Sequence, residues 1–195
     1  MFTDRVNLAI VLAASVYCDK TRKGTNIPYI AHPVAVGMII RDYTDEETAI
    51  IAGILQGVLE LAHPAFYSEA DMRRDFGDVI TDIVKDVSEP KTTEQSKLPW
   101  KERNQSYLKR LSNFHYPEAY IVATANEIHY LTELLNTYVR FGGQIWHRLN
   151  DSKYDILQYY RNVFDLIKTE PIPKDLKCKF EGLIDKLEEI VTLNS

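Results

Sequence analysis

The sequence predicts an all-α fold. Apolar residues recur at three- and four-residue intervals through most of the chain, and no run of strict alternation is long enough to mark a strand. Helix-start signals, Thr44 with Glu47 and Ser68 with Asp71, stand at capping-box spacing. Prolines fall between the periodic segments or at their starts, as Pro33 and Pro171-Ile172-Pro173 do.

Element by element, a first helix is expected over residues 5–19, ending in the loop Lys20-Thr21-Arg22-Lys23-Gly24. A second begins after His32, because Pro33 suits the first helical position, where its missing N–H has no partner to lose. The Thr44/Glu47 pair opens a third helix running to Ala62, which places Gly57 in a helix interior at a cost of roughly 0.5–1 kcal/mol relative to alanine. Ser68/Asp71 opens a short fourth that stops near Gly77, and residues 78–87 form a fifth. The polar stretch 88–97 reads as an exposed loop. Helices then follow over residues 100–112, 117–136, 137–141 and 152–168. Pro171-Ile172-Pro173 interrupts the pattern, and residues 175–193 form a last amphipathic helix. Its stripe of Leu176, Phe180, Leu183, Ile184, Leu187, Ile190 and Val191 packs on its own domain or on a partner, in a homodimer or with another protein. The expected organisation is a helical domain over residues 1–170 and this helix over 171–195.

At 195 residues the chain suits one domain with a single sizeable core. Its 45% hydrophobic and 26% charged residues are ordinary for a globular protein. A formal net charge of -5 without a Lys/Arg cluster argues against nucleic acid as a partner. No apolar run approaches the roughly 18–20 residues of a membrane span, and Met1-Phe2-Thr3-Asp4 lacks the basic start of a signal peptide. Cys18 and Cys178 show no metal-ligand spacing, so they are expected to be reduced thiols of a cytoplasmic protein.

Four segments carry a resemblance to a known family. Arg22-Lys23-Gly24-Thr25-Asn26-Ile27-Pro28-Tyr29-Ile30-Ala31-His32-Pro33 precedes Ala52-Gly53-Ile54-Leu55-Gln56-Gly57-Val58-Leu59-Glu60. Leu98-Pro99-Trp100-Lys101-Glu102-Arg103 and Ala125-Asn126-Glu127-Ile128-His129-Tyr130 follow, with Trp146, Arg148, Lys153 and Tyr159-Tyr160 beyond. Over about residues 5–168 this order resembles the HD-domain hydrolases of the alarmone ppGpp, the Rel/Spo type and its small standalone relatives.

The resemblance implies an HD-domain helical bundle in which His32, Gln56, Gly57 and Asn126 converge. In the family these positions hold two imidazoles and two carboxylates around a manganese-type ion, which activates water. Here only His32 keeps its donor: Gln56 and Gly57 replace a His-Asp pair, and Asn126 replaces an aspartate. A second family pair, Glu-Asp, reads Glu60-Leu61. The expectation is therefore a pseudo-hydrolase that retains nucleotide or partner binding, without a metal or another cofactor. The alternatives are an active manganese-dependent ppGpp pyrophosphohydrolase, and an interaction module with no ligand.

Could other residues take over? His32 with Glu60, with or without His63, makes a poorer metal site; His63 otherwise reads as a solvent-facing residue at a helix end. His129 reads as a hydrogen-bonded core histidine, and His115 and His147 as surface residues. Arg22 and Lys23 match basic residues that the family uses near its guanine nucleotide, and otherwise form a solvated turn. Gly53 and Gly57, four residues apart, allow either close helix packing or a ligand in the vacated volume.

Overall fold

The computed structural model describes residues 2–22, 25–88, 99–148 and 152–193, with the side chains of residues 147 and 148 left out. The expected loop at 88–97 thus lies outside the described residues apart from Ser88. The described residues are helical, without a strand; Thr21 and Pro28 make an isolated β-bridge across the loop before His32.

The helices are α1 (Asp4–Val16), α2 (Ala31–Tyr43), α3 (Glu47–Leu55), α4 (Val58–Leu61), α5 (Glu69–Phe76), α6 (Asp78–Val87), α7 (Trp100–Leu111), α8 (Pro117–Phe141), α9 (Lys153–Ile167) and α10 (Lys174–Leu193), with a 3-10 segment Gly142–Arg148 after α8. α3 is the hub. Every residue from 49 to 55 is buried, because α1, α2, α6 and α8 surround it. A helix apolar on all sides needs such a cover. α2 approaches α3 closely because both carry glycine at the crossing: a Cβ at Gly53 would lie 2.6 Å from Ile40 Cδ1, and one at Gly37 2.7 Å from Ile54 Cγ1. For Gly53 this is the helix-packing reading.

Several boundaries differ from expectation for physical reasons. α2 starts at Ala31, so His32 and Pro33 lie in its first turn, where a proline still deprives no carbonyl of a bond. Thr44 and Glu47 do not make a capping box. Thr44 Oγ1 accepts from Glu46 N–H at 3.2 Å, while the Glu47 carboxylate accepts from Thr3 Oγ1 (2.5 Å) and Arg5 (2.8 Å), tying α3 to the start of α1. Ser68 and Asp71 do form the reciprocal box. α8 runs unbroken through residues 136 and 137, and carries the site on its middle turns.

α10 packs on α8 and α9 through Leu176, Phe180, Leu183, Ile184, Leu187 and Val191, all buried. Pro171 and Pro173 flank the turn that reverses the chain after α9, and Ile172 between them is buried.

Candidate functional site

The site is organised by a break in the chain where continuous helix is expected. α3 ends at Leu55, Gln56 takes an extended ψ of 134°, Gly57 has φ +76°, and α4 restarts at Val58. Gly57 is therefore not a weak helix residue; it occupies a left-handed conformation that costs other L-residues roughly 1–2 kcal/mol. The backbone groups freed by the break are satisfied from elsewhere. Tyr17 Oη donates to the Gln56 carbonyl at 2.7 Å, and Gly57 N–H donates to Ser88 Oγ at 3.1 Å. Tyr17 is almost wholly buried, and burial pushes its phenol above the usual range, so it stays a donor.

This break forms one wall of a cavity of about 460 Å³. His32 from α2, Gln56 and Gly57 from the break, Glu60 from α4 and Asn126 from α8 all line it. Positions spread over 95 residues of sequence (126 − 32 + 1) thus meet at one place. Leu61 does not join them: it is 42% exposed and faces a separate shallow depression with His63. His63 is exposed, its Nδ1 accepting from Ala65 N–H at 3.2 Å, and is no candidate ligand for the cavity. His115 is exposed and lies 3.5 Å from the Asp86 carboxylate, while the His147 side chain is outside the described set.

Arg22 does not itself line the cavity, but it stands over Tyr130, which does. Its guanidinium donates to Glu133 of α8 and stands 5.9 Å from the centre of the Tyr130 ring. Lys23 lies outside the described residues.

The two histidines of the site face each other. His32 is 2% exposed, and its Nδ1 is 3.0 Å from Nδ1 of His129. Burial, then the neighbouring His129 and Arg22, hold the His32 imidazole down to about 3, against a smaller raising effect of the Asn126 side chain. Burial also lowers His129, opposed by Glu133. His32 is a neutral imidazole across the ordinary pH range.

Glu127 is the residue that motif reading passes over. It is 4% exposed, lines the cavity, and accepts from Tyr159 Oη at 3.1 Å and, weakly, from Asn126 Nδ2 at 3.4 Å. Burial raises its carboxyl to about 7, the two hydrogen bonds opposing. The available signal was a charge following the apolar stretch Ala119-Tyr120-Ile121-Val122-Ala123 on a helix that must be covered on most sides. Asn104 was likewise missed; nothing in its sequence context distinguishes it from a surface residue of α7.

A metal ion of the family type does not fit the donors present. One imidazole, two neutral amides and a glycine occupy the four positions, so no carboxylate stands at any of them. Glu60 and Glu127 share the cavity, but among the described residues no cluster of three or more His, Cys, Asp and Glu side chains has a metal-holding arrangement. The buried amide nitrogens Gln56 Nε2 and Asn104 Nδ2 have no hydrogen-bond partner among the described residues.

A helical bundle with a cavity of this lineage defines a class. The family model described as HD domain matches residues 9–146, and the chain belongs to the HD-domain family. Among solved structures, it is similar to a metazoan ortholog of SpoT that hydrolyzes ppGpp, with a TM-score of 0.73 at 17% identity over 95% of this chain and 97% of that one. It is also similar to a protein of Listeria monocytogenes EGD-e, with a TM-score of 0.65 at 19% identity over 81% and 99% of the two chains. At these identities the likeness is one of fold. A GTP pyrophosphokinase of Streptomyces coelicolor is 39% identical over 61 residues, which span 31% of this chain and 7% of that protein.

Proposed function

We propose that this HD-domain protein binds a small molecule in the cavity around His32 without hydrolysing it. The observation that carries the reading is the donor set at the convergence point: His32, Gln56, Gly57 and Asn126 meet there without a carboxylate among them. A hydrolytic HD site needs anionic oxygen ligands to hold a hard cation and to lower the pKa of its water. Gln56 and Asn126 present neutral amides instead, and the Glu60 partner position is a leucine outside the cavity. The cavity itself is retained, and its volume falls in the roughly 300–1,000 Å³ range of small-molecule sites.

Arg22, which the resemblance places near a guanine nucleotide, is paired with Glu133 beside the cavity. No described helix is long and apolar enough to cross a membrane, consistent with a cytoplasmic placement. The exposed thiols Cys18 and Cys178 fit a reducing compartment.

The test is metal content and turnover together. Purified protein incubated with manganese and desalted should retain far less than one ion per chain, and ppGpp should be hydrolysed no faster than in buffer. Manganese-dependent turnover that disappears in His32→Ala would restore the hydrolase reading, with Glu60 and Glu127 as the carboxylates.

A further inference from the structure

The outer face of α1 has a chemistry of its own. Val6, Ala9, Ala13 and Val16 turn inward, yet the opposite side of the helix is apolar as well. Leu8 is 46% and Val11 53% exposed, and they share one face with the exposed Ser15, at three- and four-residue steps. At the C-terminal end of this strip lies a depression of about 200 Å³, whose lining includes Ser15, Cys18, Lys20, Leu61 and the exposed ring of Phe66. At the other end Phe2, immediately before the cap residue Thr3, is 71% exposed.

The strip complements itself when reversed. A projecting ring stands at its start and a hollow at its end, and Val11 lies midway in sequence between Phe2 and Lys20. Two copies laid antiparallel about an axis at Val11 therefore set each Phe2 against the depression of the other, the same patch serving both partners as a two-fold interface requires. Leu8 then faces the exposed Ala14 and Ser15, whose small side chains let the helices approach. The charges agree with this sense. Asp4 and Arg5 precede the strip, Asp19 and Lys20 follow it, and all four are exposed. Reversal brings Asp4 toward Lys20, and Arg5, which also holds Glu47, toward Asp19; a parallel pair would oppose each charge to its own copy. The apolar stripe of α10 is no competitor, since α8 and α9 already cover it.

We propose that this face binds a second copy of the chain: two α1 helices cross antiparallel about Val11, and the Phe2 ring of each enters the Lys20–Leu61–Phe66 depression of the other. None of these residues lines the cavity around His32, so the contact leaves that cavity open and stands apart from any reading of its ligand. A contact built on one helix and one ring per copy belongs at the small end of specific interfaces, so the dimer is a weak one that forms at micromolar concentrations.

The experiment is sedimentation velocity of the full chain across the micromolar range, without metal or nucleotide. A monomer–dimer equilibrium is expected. Val11→Glu and Phe2→Ser should each weaken it at least tenfold, with unchanged circular dichroism because both side chains are exposed. Asp4→Lys and Lys20→Asp should each weaken it, and the two together should restore it, since the swapped pair is rebuilt across the axis. In a Cys18→Ser, Cys178→Ser background, Val11→Cys should give a disulfide-linked dimer on oxidation with diamide, whereas Val139→Cys, equally open on α8, should not. A chain that stays monomeric throughout, a dimer indifferent to Val11→Glu and Phe2→Ser, a charge swap that fails to recover, or cross-linking no better at residue 11 than at 139 overturns the proposal.

Discussion

Nδ1 of His32 and Nδ1 of His129 stand 3.0 Å apart, so one ring lends a proton and the other a lone pair. This pairing occupies a nitrogen of the one imidazole retained at the family's metal positions. It joins the first turn of α2 to the middle of α8, under the Tyr29 and Tyr130 rings at 5.9 and 4.8 Å from His32. An imidazole so enclosed is a structural element of the fold.

Stability should depend on pH in two opposing ways. Glu127 is raised from 4.5 to about 7, so between those values the folded chain holds a proton that the unfolded chain releases; stability falls as pH rises through that window. His32 is lowered from 6.5 to about 3, so stability is lost as pH falls through that range. Glu127→Gln should remove the first effect. Its stability relative to the parent should rise by roughly 3 kcal/mol between pH 4.5 and pH 8, read from urea unfolding at both values. A pH-independent difference would count against a buried, titrating Glu127.

Gly57→Ala should destabilise the fold by roughly 1–2 kcal/mol, because φ +76° is strained for an L side chain. The new Cβ would also stand 3.2 Å from Tyr17 Oη. Denaturant unfolding measures it; a neutral substitution would show that the break relaxes into continuous helix.

Tyr17→Phe should cost about 1–3 kcal/mol, since it leaves the Gln56 carbonyl buried without its donor. Thermal melting of the variant reports it. A cost near zero would mean that another donor reaches that carbonyl.

Rebuilding the metal site with Gln56→His, Gly57→Asp and Asn126→Asp should restore manganese uptake, measured by metal analysis after desalting, at reduced stability. Aspartate tolerates the left-handed region better than most residues, yet it must still displace Tyr17 Oη. Adding Leu61→Asp should not raise activity, because residue 61 lies outside the cavity. Normal folding without any manganese would show that the wall has remodelled too far to be repaired.

Phe180→Ala in α10 should cost about 3–5 kcal/mol, as a fully buried aromatic ring lies between Tyr160 and Phe164. A loss below 1 kcal/mol, measured by urea titration, would point to a weakly docked helix.

The amino-acid pattern by itself determined the helical class, the extents of α6, α7, α9 and α10 to within a residue or two, and the family. Three- and four-residue periodicity and local caps such as Ser68/Asp71 are set by neighbours in sequence. It also identified which chemical groups stand at the four converging positions, because identity needs no coordinates. The helix break at Gln56-Gly57 could not be read this way: its φ of +76° is held by Tyr17 and Ser88, partners 39 and 31 residues away. Glu127, Asn104 and the loss of Leu61 from the site were equally hidden. Burial, orphaned hydrogen-bond donors and the direction of a side chain depend on which elements pack against it, and only the tertiary structure brings those elements together.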